Sequence, residues 1–457
     1  MKALVAPTVV AVWRRMGIAA AVTLLLLGGA INAAHAQTLS PAQQDSAITA
    51  IGGLLRSDYV YDTTGARCAD ALAARRSSAP PSAPIAATLF AEQITAQLRA
   101  CANDQHLEVV VSQPAPPAAS PSPAPLSAVR DSAPARPWLP PLRRRNFDFL
   151  RAERLLGNVG YLEMASFPPP EVAGKTVAGA IAFLANSDAL IIDLRQNGGG
   201  TGDMVRYLAT WFFDDQTAIT ATWRRADHRL TEDRTLPFVP GERLPRIPLY
   251  ILTSRGTFSA AEAFAFGLQQ LARARVVGDR TRGGANAGRY RNIGAGLRLF
   301  VPMANARSPV NGRSWERVGV VPDIAAPAPA ALDAAHVAAL EGLLKSAPRD
   351  SARTRLLEWD LAAARQRLNG TQLTAAQCQH VAGEYQDNRS ITCRSSRLYY
   401  SLGNEPEREL YPLGGNVFFS GDFDQSRLEF AGSSSQRTVI IQSPTGSEET
   451  ARVVPRR

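Results

Sequence analysis

The chain predicts an α/β core set between an N-terminal helical domain and a small C-terminal antiparallel β domain. Three observations predict it. Two apolar runs, Ala189–Leu194 and Pro248–Thr253, each lead through a sharp turn into a helical pattern, as strands of a helix-covered sheet do. Ahead of them, Ile48, Ile51, Leu54 and Leu55, then Leu89, Ile94 and Leu98, recur at helical spacing. Beyond about Thr374 the texture changes to short β-rich runs separated by Gly, Asn, Asp and Ser clusters.

Taken in order, residues 1–36 read as a secretory signal: Lys2, Arg14 and Arg15 precede the apolar stretch Gly17–Ile31, and Ala34-His-Ala36 is an A-x-A cleavage site. An uncleaved N-terminal anchor is the alternative. No later segment is long and apolar enough to span a membrane. The expected setting is therefore secreted, in the periplasm. Losing the leader lowers the formal charge of +10 by three, to +7. The remaining basic charge is scattered, all of it arginine but for Lys175 and Lys345, without a dense patch, which argues against nucleic acid as a partner. Cys68 with Cys101, and Cys378 with Cys393, form two local pairs that predict two disulfides in an oxidising compartment. Their spacing lacks the close C-x-x-C of a zinc site.

Residues 37–111 are expected to form the helical domain, closing with the strand Leu107–Val111. Residues 112–145 are a Pro-, Ala- and Ser-rich loop or linker that cannot bury a core. Residues 146–348 are expected to form the core, with strand Val159–Met164, helix Val177–Asn186, strand Ala189–Leu194 and helix Met204–Phe213. A β-hairpin is expected over Ala218–Arg229, then strand Pro248–Thr253 and helix Ala260–Ala274. Residues 349–457 are expected to hold a helix, Ala352–Asn369, and the β domain.

The chemistry gathers at two turns. Gly256-Thr-Phe-Ser259 presents a serine where the first N–H groups of a helix converge, which suits either a helix cap or a nucleophile beside an oxyanion site. Asn197-Gly-Gly-Gly200 is a glycine turn without the G-x-G-x-x-G or G-K-[ST] spacing of a phosphate cradle. With Asn158–Leu162 and Phe167, Asp193–Gly200, Thr257–Glu262, Gly278–Asn286 and Gly319–Asp323 in this order, the sequence resembles the C-terminal-processing serine peptidases. The likeness is to the branch that holds the tricorn core and interphotoreceptor retinoid-binding protein. It covers about Asn146–Ile324, and Asp104-Gln-His-Leu107 also looks like that branch.

The resemblance implies a crotonase-like catalytic core, no metal or organic cofactor, and a peptide or protein substrate cleaved by Ser259. It implies Ala260 with Gly199 or Gly198 as oxyanion donors. The mature chain has only Lys175 and Lys345, neither between Ser259 and Ile324, so a Ser–Lys dyad is disfavoured. Arg280 and Arg282 stay protonated and cannot act as base. Of His106, His228, His336 and His380, the resemblance selects His106 as base. Glu316 is the expected orienting carboxylate, with Asp104 as a local rival and an ion pair with Arg317 as the structural alternative. Gln105 stands where the tricorn pattern has a serine. Glu262 is expected to close a capping box with Ser259, and Asp193 and Arg195 to be ion partners. The rival function is a hydrophobic-ligand-binding protein of the same fold without catalysis. A structural envelope protein that adheres through the β domain is a third.

Overall fold

A six-stranded sheet forms the centre of the computed structural model, which describes residues 37–112, 136–349, 351–369, 373–421, 425–433 and 436–454. The predicted leader and most of the predicted linker lie outside the described residues. The strands run in the order Ile324–Ala325, Arg275–Gly278, Leu249–Thr253, Ala189–Asp193, Val159–Met164 and Phe149–Leu155. All neighbours are parallel except the last pair.

Parallel central strands are covered on both faces, and their side chains alternate between two cores. Leu190, Ile192 and Ile251 face helices Pro170–Leu184, Gly202–Ala209 and Ala260–Gln270. Ala189, Ile191, Tyr250 and Leu252 face helices Ala331–Ser346 and Ala352–Leu368. The first of these helices begins at Pro170 rather than at Val177, because proline is tolerated in a helix's first turn. The helix after Ser259 stops at Gln270, short of Ala274; Ala272 takes a left-handed φ of 52° that no helix continues. The glycine-turn helix tightens to a 3₁₀ turn at Thr210–Phe212.

A second sheet lies over the helical N-terminal part. Strands Asn286–Gly294, Leu297–Arg307, Ala218–Arg224 and Arg229–Arg234 pair in that order, and Glu108–Val111 joins the start of Leu297–Arg307. Helices Pro41–Ser57, Asp62–Ser78 and Ala87–Ala102 share a core with Leu297, Leu299 and Val301 of this sheet. The Cys68–Cys101 disulfide ties the second helix to the third. Inside the stretch predicted as linker, Leu139–Arg144 is a short helix.

The C-terminal strands form an eight-stranded antiparallel meander from Gly383–Tyr385 to Glu448–Arg452. Tyr385 bridges Val453, and Gln386 N–H donates to Arg452 O at 2.8 Å, so the first and last strands meet and the sheet is barrel-like. Cys378–Cys393 joins its leading helix, Ala375–Val381, to the second strand. Among the described residues no helix is long and apolar enough to cross a membrane.

Candidate active site

Two strand ends are laced together to build the site. After Leu249–Thr253, the Ser254 hydroxyl donates to Arg195 O and the Thr257 hydroxyl donates to Leu194 O at 2.7 Å. Phe258 N–H donates to Asn197 O at 3.1 Å, which pins the serine turn against the glycine turn. Ser259 is thereby held at φ 56°, ψ −119°, a sparsely populated conformation costing about 1–3 kcal/mol outside glycine.

The glycine turn touches this serine directly. A Cβ on Gly199, whose φ is 109°, would lie 2.8 Å from Ser259 Cβ and 3.1 Å from Ala260 N. Such contacts exclude any side chain there. The Gly199 N–H donates to Asn197 Oδ1 at 2.9 Å, and Asn197 Nδ2 donates to Met164 O at 2.9 Å. Gly198 precedes it in the same turn, and Ala260 is the first residue of the serine helix.

Glu262 organises the other side. Its buried carboxylate accepts from Ser259 N–H at 2.8 Å, Gly284 N–H at 2.8 Å, Gly283 N–H at 2.6 Å and the Thr281 hydroxyl at 2.5 Å. The reach back to Ser259 is the half of a capping box that the sequence predicts. Burial pushes the Glu262 carboxyl upward, opposed by these four bonds.

His106 arrives from the helical part. Helix Ala87–Ala102 ends at Asn103 in the left-handed region, and Arg317 donates to the Ala102 and Asn103 carbonyls at 2.7 and 3.1 Å. The turn that follows brings His106 Nε2 to 3.0 Å from Ser259 Oγ. The ring stacks on Phe258 at 4.4 Å between centroids and faces Phe300 at 5.9 Å. Gly284 leaves room for it, since a Cβ there would lie 2.7 Å from His106 Cε1. Burial pushes the imidazole down to about 4, with Asp104 acting in the opposite direction. His228 and His380 are exposed, and buried His336 contacts Leu156 O and Arg367.

Among the described residues, Asp104 is the one carboxylate within 4 Å of a His106 ring nitrogen, with Oδ1 3.8 Å from Nδ1. That Oδ1 accepts from His106 N–H at 2.9 Å, while Oδ2 accepts from the Tyr59 hydroxyl at 3.0 Å and Asn286 Nδ2 at 2.8 Å. Glu316, expected beside the imidazole, is placed elsewhere: its Oε2 accepts from Ala285 N–H at 2.7 Å and Asn286 N–H at 3.1 Å. Burial pushes its carboxyl up to about 8, and the charge of Asp104 adds to the rise. Arg317, the alternative partner of Glu316, gives its guanidinium to the helix carbonyls instead. Asp193 and Arg195 are paired at 2.6 Å. The sequence does not single out Tyr59 or Phe300, and it carries Asn286 only as the end of the Gly278–Asn286 motif, with no local signal for its contact with Asp104 across 182 residues. No three His, Cys, Asp or Glu converge as metal donors among the described residues.

The site thus brings a strained serine, a neutral-leaning imidazole and a glycine turn into contact, the parts needed for nucleophilic attack on a carbonyl. Residues 158–326 match the model of peptidase family S41. Ser259 and Glu316 fall inside that match, and His106 and Asp104 outside it. The carboxyl-terminal-processing peptidase 3, chloroplastic, of Arabidopsis thaliana is 29% identical over 173 residues, 37% of this chain and 32% of the relative. The carboxyl-terminal-processing protease of Synechocystis sp. is 29% identical over 168 residues, 36% of this chain and 37% of the relative. The chain spans about a third of the length of these curated relatives. A solved photosystem II D1 C-terminal processing protease is similar over 38% of this chain and 43% of its own, at 22% identity and TM-score 0.32. The match to peptidase family S41 thus covers the segment that carries Ser259 and the glycine turn.

Proposed function

We propose that this protein is a serine peptidase that hydrolyses peptide bonds through an acyl-enzyme on Ser259, with His106 as general base. The observation that carries the reading is the 3.0 Å approach of His106 Nε2 to Ser259 Oγ. In the first half-reaction His106 takes the hydroxyl proton as Oγ bonds to the peptide carbonyl carbon. The proton then passes to the leaving amine as the C–N bond breaks. In the second half water repeats the attack and releases the acid. The lowered basicity of His106 keeps it unprotonated, and so competent as a base, at neutral pH.

The supporting carboxylate in this reading is Asp104, by its distance to Nδ1. Glu316 acts one step removed, holding the backbone of Ala285 and Asn286 against the site. The oxyanion is assigned to the Ala260 N–H and the turn at Gly198 and Gly199. For its own N–H to take part, Gly199 would have to release Asn197 Oδ1. The mostly parallel sheet with its flanking helices supports the crotonase-like description of this core. The two disulfides support an oxidising, extracytoplasmic setting, of which the periplasm is the proposed case.

The test is a fluorophosphonate probe run beside peptide cleavage on the wild type, Ser259→Ala and His106→Ala. Labelling and cleavage are expected in the wild type alone. Labelling that survives Ser259→Ala would sink the nucleophile assignment, and full activity in His106→Ala would sink the base.

A further inference from the structure

A carboxylate outside the catalytic group lines the same cavity as Ser259. This cavity has a volume of about 260 Å³. That is below the ~300 Å³ at which sites for whole small-molecule ligands begin, and it suits a single side chain. Val205, Ile219, Ala263 and Trp315 supply apolar walls, and Asp233 enters from strand Arg229–Arg234. Register places Asp233 opposite Thr220 on the neighbouring strand. The Thr220 and Thr222 hydroxyls donate to Asp233 Oδ2 at 3.1 and 2.6 Å, fixing the carboxylate on the cavity wall.

Among the described residues no Arg, Lys or His nitrogen comes within 4 Å of this carboxylate. Arg206, the one basic residue lining the cavity, donates to Arg234 O at 2.8 Å and lies 3.6 Å from Asp203. Asp233 also borders a neighbouring cavity whose wall carries Arg224, Arg225 and Arg289, none of which comes within 4 Å of its carboxylate. Arg225 is held by the carbonyls of Tyr59 and Arg56 at 2.7 and 2.8 Å. A half-buried carboxylate with hydroxyl donors but no cation is poorly compensated, and a cationic head would gain charge-assisted hydrogen bonds there.

We propose that this cavity receives the substrate side chain on the acyl side of the scissile bond and that Asp233 makes it select lysine or arginine. The alkyl stem lies along the apolar walls while the head meets Asp233. This rests on the serine-peptidase reading of Ser259.

The test profiles cleavage of a mixed peptide library by mass spectrometry. It then measures kcat/KM on peptides identical except for Lys, Arg, norleucine or Glu before the scissile bond. Lys and Arg are expected to exceed norleucine by at least about tenfold, the range over which one polar contact discriminates substrates. Asp233→Asn brings that ratio to about one, and Asp233→Glu retains a preference, with fluorophosphonate labelling of Ser259 preserved in both. If the wild type prefers norleucine or Glu, or Asp233→Asn leaves the ratio unchanged, the pocket assignment falls while labelling keeps the peptidase reading intact. A wild type that neither labels nor cleaves overturns both.

Discussion

Replacing Asp104 with asparagine isolates the electrostatic support of His106. The substitution is nearly isosteric and keeps an oxygen to accept from His106 N–H, while its amide nitrogen faces the donors Tyr59 and Asn286, so a lost buried hydrogen bond adds to the lost charge. What it removes is a negative charge 3.8 Å from Nδ1. At an effective dielectric of about 20 that charge stabilises an imidazolium by about 4 kcal/mol, a ceiling of roughly a thousandfold in rate. Because Tyr59 and Asn286 already hydrogen-bond the carboxylate, the expected loss in kcat/KM is about a hundredfold to a thousandfold. Burial already lowers the imidazole to about 4, and Asp104 is what raises it. Wild-type activity should therefore persist to mildly acidic pH and fall only as pH drops toward 4, with the asparagine variant's limb lower still. The assay is the pH profile of fluorophosphonate labelling and peptide kcat/KM, with a thermal melt to check folding. A variant within about threefold of wild type would refute the reasoning. So would Glu316→Gln causing the loss instead.

Glu262→Ala leaves Ser259 N–H, Gly283 N–H, Gly284 N–H and the Thr281 hydroxyl without their acceptor. At about 1–3 kcal/mol for each unsatisfied buried group, and allowing for relaxation, denaturant unfolding should show a loss of about 3–5 kcal/mol. A loss under about 1 kcal/mol would contradict it. Stability should also vary with pH from both sides. Burial lowers His106 and His336 to about 4 in the folded chain. The unfolded chain takes up these protons first, so stability is lost as pH falls from about 6.5 toward 4. Glu316, raised to about 8, acts oppositely, its contribution being lost as pH rises toward 8. Urea unfolding across pH should find that His336→Gln flattens the acid slope and Glu316→Gln the opposing one; unchanged slopes would contradict these assignments.

The parts of the fold written locally were legible. Ala189–Asp193 and Leu249–Thr253 read as strands because burial on both faces makes every position apolar. Asn286–Gly294 did not, since its Arg, Tyr and Asn residues carry no apolar run and its pairing with Leu297–Arg307 supplies the order. The early start at Pro170 was hidden because three successive prolines read as a break. The site divided the same way. Ser259 and the glycine turn sit in contiguous motifs, and the scarcity of lysine leaves histidine as the candidate base. His106 lies 153 residues from Ser259, and elimination with a family likeness, not periodicity, selected it. Tyr59, Asn286 and Phe300 belong to separate elements and become neighbours only in the folded chain.

The choice between Asp104 and Glu316 shows what geometry adds to a motif. A carboxylate can support an imidazole by accepting its N–H or by its charge alone, and the two fall off differently with distance. The 3.8 Å between Asp104 Oδ1 and His106 Nδ1 is too long for a hydrogen bond, and that oxygen already accepts from the His106 backbone. Asp104 therefore cannot aim the ring. The aiming falls to Phe258, stacked at 4.4 Å, and to Phe300, which faces the ring at 5.9 Å. Asp104 is left with the electrostatic part, where only its charge matters. Glu316, with its carboxyl raised by burial and by Asp104, is the poorer source of that charge near neutrality. Its two backbone bonds place it as a brace for the segment that also carries Asn286, whose side chain in turn holds Asp104. The two carboxylates are thus connected in series through Asn286, with Asp104 next to the imidazole proposed as base and Glu316 behind it.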